Sequence, residues 1–134
     1  MLALAGTDSL LELCDPKTGA LLRTLPGHAW GVERGAAFSS DGKTLVARDC
    51  GNLTRLWNVE TGIPRVSLLQ LADGQGLMIS ADGHYQGTEH AEDAIVYVAE
   101  LDDGVQVTLS PSEFAKRFGW HNEPQRVKLS ETAP

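Results

Sequence analysis

The densest group of titratable side chains occupies one short segment, which contains His84, Glu89, His90, Glu92 and Asp93. Imidazole nitrogen and carboxylate oxygen are ligands that suit zinc or manganese, so His84 and His90 with one carboxylate would predict a metal-dependent hydrolase. However, both histidines lie in a predicted loop, which does not fix their spacing as a helix or a hairpin would. We therefore favour a solvated acidic loop and expect no metal and no cofactor.

A second group has the residue types of a hydrolase nucleophile with its base. Ser39, Ser40 and Asp41 precede Gly42, and His28 lies upstream. The segment lacks the G-x-S-x-G elbow that exposes a nucleophilic serine. Asp41-Gly42 is instead a strong turn signal, because glycine accepts a positive φ without steric cost. We predict a structural turn here, a structural role for His28 and no catalytic residue.

The composition limits the classes of partner. The chain has 134 residues, of which 42% are hydrophobic and 22% charged, as in one globular domain. Its formal charge of −7 gives a mean field that repels nucleic-acid phosphates and anionic lipid. No apolar run approaches the roughly 18 residues of a membrane span, and the start MLALAGTDS lacks a basic n-region. We expect no nucleic acid and no membrane as partners, and a cytoplasmic location unless a preceding segment carries an export signal.

The two cysteines, Cys14 and Cys50, fall at different positions of the repeat described next, one inside a predicted strand and one near a turn. Their spacing does not support a disulfide, and the chain has no CxxC pair that would form a zinc framework. We expect two reduced thiols.

An internal repeat organises residues 1–69. An offset of 43 residues pairs Leu2 with Leu45, Leu10 with Leu53, Leu13 with Leu56, Thr18 with Thr61, Gly19 with Gly62 and Leu25 with Leu68. The same offset aligns DPKTG (15–19) with NVETG (58–62), each of which closes an apolar strand. This period is typical of the four-stranded blades of a β-propeller. Apolar residues on both faces of the predicted strands indicate sheets that lie between neighbouring sheets.

The strand pattern predicts seven strands in this region: 1–6, 9–14, 20–25, 32–39, 43–48, 53–58 and 63–69. Further along, Leu77–Ser80 with the turn at 81–83 echoes residues 38–42 and predicts the start of a degenerate third blade. A hairpin is predicted from residues 95–101 and 105–109. A capping box from Ser110 to Glu113, with Pro111 after the cap and Gly119 at the end, predicts a helix over 111–118.

Residues 1–69 resemble WD-repeat (WD40) blades. The resemblance is carried by Gly27-His28, Ser39-Ser40-Asp41-Gly42, Leu56-Trp57-Asn58 and Thr61-Gly62. In that family the histidine and the strand-ending tryptophan join a buried hydrogen-bond network with a turn aspartate. Here the second copy has Gly51 at the aspartate position, and the first copy has Asp8 there but ends its strand in Cys14. Residues 82–120 resemble the closing segment that follows the last blade in some large bacterial WD-repeat proteins.

The resemblance implies a mainly β fold: a partial β-propeller of about two to three four-stranded antiparallel blades plus one short C-terminal helix. We predict blades over 1–69, the first incomplete, and a degenerate blade or closing hairpin segment over 70–109. A capping helix over 110–120 and a flexible tail over 121–134, with one apolar contact through Val127 or Leu129, complete the prediction.

The predicted function is a non-catalytic protein-interaction scaffold, the C-terminal part of a larger propeller. Its partner would be another protein or the remaining propeller blades, and open blade faces would also permit self-association. Trp30 follows Gly-His in a loop where propeller blades present side chains to ligands, although packing on an adjacent blade explains it equally well. We include Glu33 and Cys50 in this candidate interaction surface. Two alternatives are a metal-dependent hydrolase using the His84/His90 loop and a remnant without independent activity.

Overall fold

A computed structural model of the chain describes residues 1–5, 10–26, 35–48 and 51–129. The described strands form antiparallel sheets, so the chain is mainly β, as predicted. The N-terminal sheet contains β1 (Leu2–Ala5), β2 (Leu11–Cys14) and β3 (Leu21–Leu25). The central sheet contains β4 (Ala36–Phe38), β5 (Thr44–Arg48), β6 (Leu53–Asn58), β7 (Pro64–Gln70), β8 (Gly76–Ser80) and β9 (Tyr85–Gly87). A C-terminal hairpin pairs β10 (Tyr97–Glu100) with β11 (Gln106–Leu109).

One α-helix, α1 (Pro111–Phe118), lies within the described ranges, where short 3-10 turns also occur at Ala72–Gly74, Ala91–Ala94 and Pro124–Arg126. The predicted capping box forms: the Ser110 hydroxyl accepts the Glu113 N–H at 3.3 Å, and the Glu113 carboxylate accepts the Ser110 N–H at 2.8 Å. Gly119 ends the helix with φ of 65°. In the part of the chain described, none of the helices reaches the length and apolarity needed to span a bilayer.

The central sheet continues across the blade boundary predicted at residue 69. Strands β7 and β8 are hydrogen-bonded neighbours, in register from Val66 opposite Ser80 to Gln70 opposite Gly76. The connection closes with the Leu71 N–H donating to Gln75 O at 2.8 Å, and Gly74 supplies a positive φ of 74°. Because this connection is a tight hairpin turn, β8 extends the existing sheet at the point where we predicted the start of a new blade.

The repeat seen in the sequence recurs in the strand register. Leu2 lies opposite Cys14 in the N-terminal sheet, and Leu45 lies opposite Trp57 in the central sheet, at the same 43-residue offset. The β2–β3 pairing shifts register between Leu13 and Cys14, and the β6–β7 pairing shifts between the equivalent residues, Leu56 and Trp57. The N-terminal sheet is therefore a structural copy of β5, β6 and β7.

The turns that close the two copies also match. Gly19 and Gly62 have φ of 71° and 72°, a region that favours glycine. The Gly19 N–H donates to Asp15 O at 2.8 Å, and the Gly62 N–H donates to Asn58 O at the same distance. The side chains of Asp15 and Asn58 each accept the N–H of the following threonine, at 3.2 and 3.0 Å. Aspartate and asparagine are interchangeable here because both present an oxygen to the turn.

Residues 121–129 differ from the predicted flexible tail. Asn122, Glu123 and Arg126 hydrogen-bond or ion-pair with the region around β9, and Val127 is buried. The segment 121–127 is held by polar contacts to residues 82–85, which are distant in sequence. Of the two predicted apolar contacts, Val127 is buried and Leu129 is about half exposed.

Candidate interaction surfaces

The N-terminal and central sheets pack face to face. Their shared core contains residues that are almost fully buried: Leu11, Leu13 and Leu25 from the N-terminal sheet and Leu45, Ala47 and Trp57 from the central sheet. Two polar contacts frame it. The indole N–H of Trp57 donates to Pro26 O at 3.0 Å, and the Arg23 guanidinium donates to Thr61 O at 3.1 Å. Each sheet therefore contributes one face to this interface and has a second face directed away from it.

The strand register shows which residues lie on the face of each sheet that is directed away from the shared core. Directly opposed residues of antiparallel strands lie on the same face, and neighbours along a strand alternate. Leu45 and Trp57 are opposed and form the covered face of the central sheet. Val46 and Leu56, also opposed, lie on its other face, which we call the tail face. In the N-terminal sheet, Ala3 and Leu13 are opposed and face the core, so Leu2 and Leu4 lie on its other face, the head face.

The head face combines exposed leucines with Glu12, which lies opposite Leu4, and with the buried Cys14, which lies opposite Leu2. Leu2 is 43% exposed and Leu4 is 46% exposed. Two further leucines of the same sheet, Leu21 and Leu22, are 56% and 51% exposed. Leu21 lies opposite Cys14 and therefore on the head face. Exposed apolar side chains grouped on one sheet face are typical of an interaction site.

The tail face is grooved and partly covered, since Val66, which lies opposite Leu56 on this face, is 2% exposed. A cavity of about 610 Å³ runs along the β4–β5 end of this face and is lined by Val46, Leu56, Arg65 and Leu129. A second groove of about 340 Å³ lies over Leu68 and Met78 further across the sheet. These half-buried aliphatic side chains lie next to concave space, which side chains of a partner could fill.

A third surface is formed where the C-terminal segment meets the β8–β9 turn. His84 is 5% exposed and stacks on Trp120, with ring centroids 5.1 Å apart. Its Nδ1 accepts the Glu123 N–H at 3.0 Å. The Tyr97 hydroxyl donates to Gly83 O at 3.0 Å, and burial raises the pKa of this phenol. The histidine is thus held as part of an aromatic core.

Asn122 closes the edge of the central sheet. Its side-chain oxygen accepts the Tyr85 N–H at 2.8 Å, and its side-chain nitrogen donates to Tyr85 O at 2.9 Å. This pairing imitates one residue of a neighbouring strand and satisfies the edge of β9. Next to it, Arg126 forms an ion pair of 2.6 Å with Asp82. The hydrogen bond from Ser80, followed by the charge of Arg126, lowers the pKa of Asp82.

A cavity of about 420 Å³ lies beside this region, lined by Tyr85, Glu92, Asp93, Ser112 and other residues of α1 and the C-terminal segment. Burial, followed by the charge of Glu92, raises the pKa of Tyr85. The lining combines the acidic side chains of Glu92 and Asp93 with apolar ones such as Ile95 and Trp120.

The two histidines of the metal hypothesis have different environments. His84 is buried in the aromatic stack, whereas His90 is exposed, with its ring nitrogens 3.7 Å from Glu89 and 3.8 Å from Asp93. Within the residues that the structure describes, no group of three or more His, Cys, Asp or Glu side chains is placed to hold a metal ion.

The Ser39-Asp41 pair is part of a turn. The Ser39 hydroxyl donates to the Asp41 carboxylate at 2.5 Å and accepts the Thr44 N–H at 3.0 Å. Gly42 follows with φ of 70°. The pKa of Asp41 is lowered, first by the bond from Ser39 and then by the Lys43 N–H. Both serine and carboxylate oxygens are therefore used to fold the chain back.

Several residues singled out from the sequence lie outside the described residues, namely Gly27, His28, Trp30, Glu33 and Cys50. Of the other repeat positions, Trp57 is fully buried and Gly62 has the positive φ of its turn. Cys14 is a buried free thiol.

Sequence reasoning missed two features of these surfaces. The leucines of the head face were visible as apolar residues on both sides of the predicted strands, but the pattern alone did not show which side is covered. The pairing of Asn122 with Tyr85 joins residues that are 37 positions apart and has no local signal.

A scan of the sequence against models of known protein families found no match, and a search of curated proteins found none.

Proposed function

We propose that the chain is a WD-repeat-type protein-interaction scaffold, a partial propeller that acts by binding other protein surfaces and not by catalysis. The observation that carries the proposal is the 43-residue repeat, which recurs in strand register, in a shared register shift and in the closing turns. Repeated sheets that stack face to face are the arrangement of propeller blades. In such an array each unit contacts only its neighbours, so the outer faces of the two sheets are the surfaces that a further blade or another protein would contact.

The surfaces of the two stacked sheets support a binding role. The head face exposes Leu2 and Leu4, and the tail face combines half-buried leucines with a groove of about 610 Å³. The partner is a protein surface or further propeller blades, because extended apolar sheet faces suit other sheets better than they suit small polar ligands.

Site-specific photo-crosslinking in the cells that make the protein tests this function. A benzophenone amino acid is placed at Leu56 on the tail face, and a matched control is placed at Lys17 in the exposed closing turn of the N-terminal sheet. We expect a discrete protein adduct from position 56 and none from position 17. Equal, diffuse labelling from both positions would contradict a binding role for the tail face.

A further inference from the structure

The contact between the two sheets is directional. The central sheet uses Leu45 and Ala47, and the N-terminal sheet uses Leu13 and Leu25 from the opposite side of the repeat. The two sheets are copies of one unit, so this is a head-to-tail contact between unlike faces of like units. In a head-to-tail contact, one unit contributes one type of face and its neighbour contributes the other type. The same pair of face types can therefore join further units.

The head face carries residues that are equivalent in the repeat to those with which the central sheet contacts the N-terminal sheet. At the 43-residue offset, Leu2 corresponds to Leu45 and Leu4 corresponds to Ala47. Leu45 and Ala47 are 0% and 2% exposed, whereas Leu2 and Leu4 are 43% and 46% exposed. The leucines of the head face thus occupy the positions of Leu45 and Ala47 and are exposed, whereas Cys14, at the position of Trp57, is buried.

The tail face carries residues that are equivalent in the repeat to those with which the N-terminal sheet contacts the central sheet. Leu56 corresponds to Leu13, and Leu68 corresponds to Leu25, at the same offset. Leu13 and Leu25 are each 1% exposed in the intramolecular interface, whereas their counterparts line grooves on the tail face. Leu56 and Leu68 thus repeat the pattern of Leu13 and Leu25, and Leu129 of the C-terminal segment lines the same groove as Leu56.

We propose that the head face of one copy of this chain packs on the tail face of a second copy, with the geometry of the intramolecular contact between the two sheets. This inference rests on the proposed scaffold function and names the partner as a second copy of the chain. The contact between the N-terminal and central sheets shows which surface packs on each type of face, and both surfaces belong to this chain's own repeat. Two copies joined in this way stack four sheets, which is the smallest number found in closed propellers.

Variants that block one face at a time give the test. Leu2→Asp with Leu4→Asp places charges on the head face, and Leu56→Asp places one on the tail face. Val98→Asp is the matched control, because Val98 is 64% exposed on the C-terminal hairpin, away from both faces. If Leu56→Asp does not fold, Thr54→Arg blocks the same face at a position that is already polar. Circular dichroism establishes that each variant is folded.

Sedimentation velocity and light scattering are measured on the purified full chain from 1 to several hundred micromolar. The wild type and Val98→Asp are expected to reach the mass of a dimer or larger as concentration rises. Each blocked variant alone is expected to associate at least tenfold more weakly. An equimolar mixture of the head-blocked and tail-blocked variants is expected to recover a dimer, because one free head and one free tail remain.

A wild-type chain that stays monomeric throughout would overturn the inference. Blocked variants that remain fully associated would also overturn it, as would a mixture that recovers no dimer. The two proposals fail separately: a monomer whose position 56 still crosslinks to a different protein removes the second copy as the partner and keeps the scaffold function. A monomer without such an adduct removes both.

Discussion

The N-terminal sheet and strands β5–β7 of the central sheet have the same local structure in different surroundings. They share register, register shift and closing turn, yet Leu13 is 1% exposed between sheets while its counterpart Leu56 borders an open groove. Local sequence therefore determines how each unit folds back on itself, and the neighbouring sheet determines which face is buried. Substitutions at equivalent positions separate these two contributions.

The largest difference is expected between Leu13→Ala and Leu56→Ala. Leu13→Ala removes a fully enclosed side chain from the core and should lower the free energy of unfolding by about 2–5 kcal/mol. Leu56→Ala should cost about 1 kcal/mol, because the groove already leaves part of this side chain in contact with solvent. Urea unfolding of the two variants checks this, and equal losses would show that the two faces are equally covered.

A smaller difference is expected between Gly62→Ala and Gly19→Ala. Both glycines have a positive φ, so alanine costs about 1–2 kcal/mol at either position. A methyl group at Gly19 enters open space, whereas one at Gly62 collides with the side chain of Arg23 from the N-terminal sheet. Thermal unfolding should therefore show that Gly62→Ala lowers the free energy of unfolding by about 1 kcal/mol more than Gly19→Ala does.

The Arg23→Ala background provides the control for this pair. Removing the arginine side chain relieves the collision, so the two alanine variants should become equally stable there. If the difference persists in that background, the contact between the sheets at this turn is not its cause.

The smallest effect concerns the two Ser-x-Asp turns. Both Asp41 and Asp82 have pKa values below the usual 3.8, and Asp82 alone of the two also pairs with Arg126. A lowered pKa in the folded state stabilises the fold above the unfolded pKa, and this stabilisation is lost as the pH falls below about 4. Asp82→Asn should therefore reduce the acid sensitivity of stability more than Asp41→Asn does.

Melting temperatures recorded between pH 7 and pH 2 check this ordering. Wild type and Asp82→Asn should differ at pH 7 and converge at the acid end of the range. A wild-type advantage that stays constant down to pH 2 would exclude the carboxylate charge as its source.

Features set by short stretches of sequence were predictable. The closing turns follow from DPKTG and NVETG, the helix follows from its capping box, and β6 spans the predicted residues Leu53–Asn58. In each case the deciding interactions join residues within a few positions of one another, so the local sequence contains the information.

Features set by distant contacts were not predictable from the same patterns. Strand β8 pairs with β7 in the central sheet, although we predicted that it begins a separate blade. The tight turn at Gly74 permits this pairing, and the 43-residue period contains no information about it. His84 was predicted to lie in a solvated acidic loop, but it stacks on Trp120, which is far along the chain. The repeat itself was evident, but which of its faces is covered depends on neighbouring sheets.

The central claim is that the N-terminal and central sheets, the two repeat units of one chain, stack through unlike faces. Methyl and aromatic NOE measurements test this claim most directly. In a dilute sample of the folded chain, methyl groups of Leu11, Leu13 and Leu25 should show cross-peaks to Leu45 methyls and the Trp57 ring, which share one core. Cross-peaks from Leu56 methyls to the leucines of the N-terminal sheet, in place of those from Leu45 and Trp57, would contradict the head-to-tail arrangement.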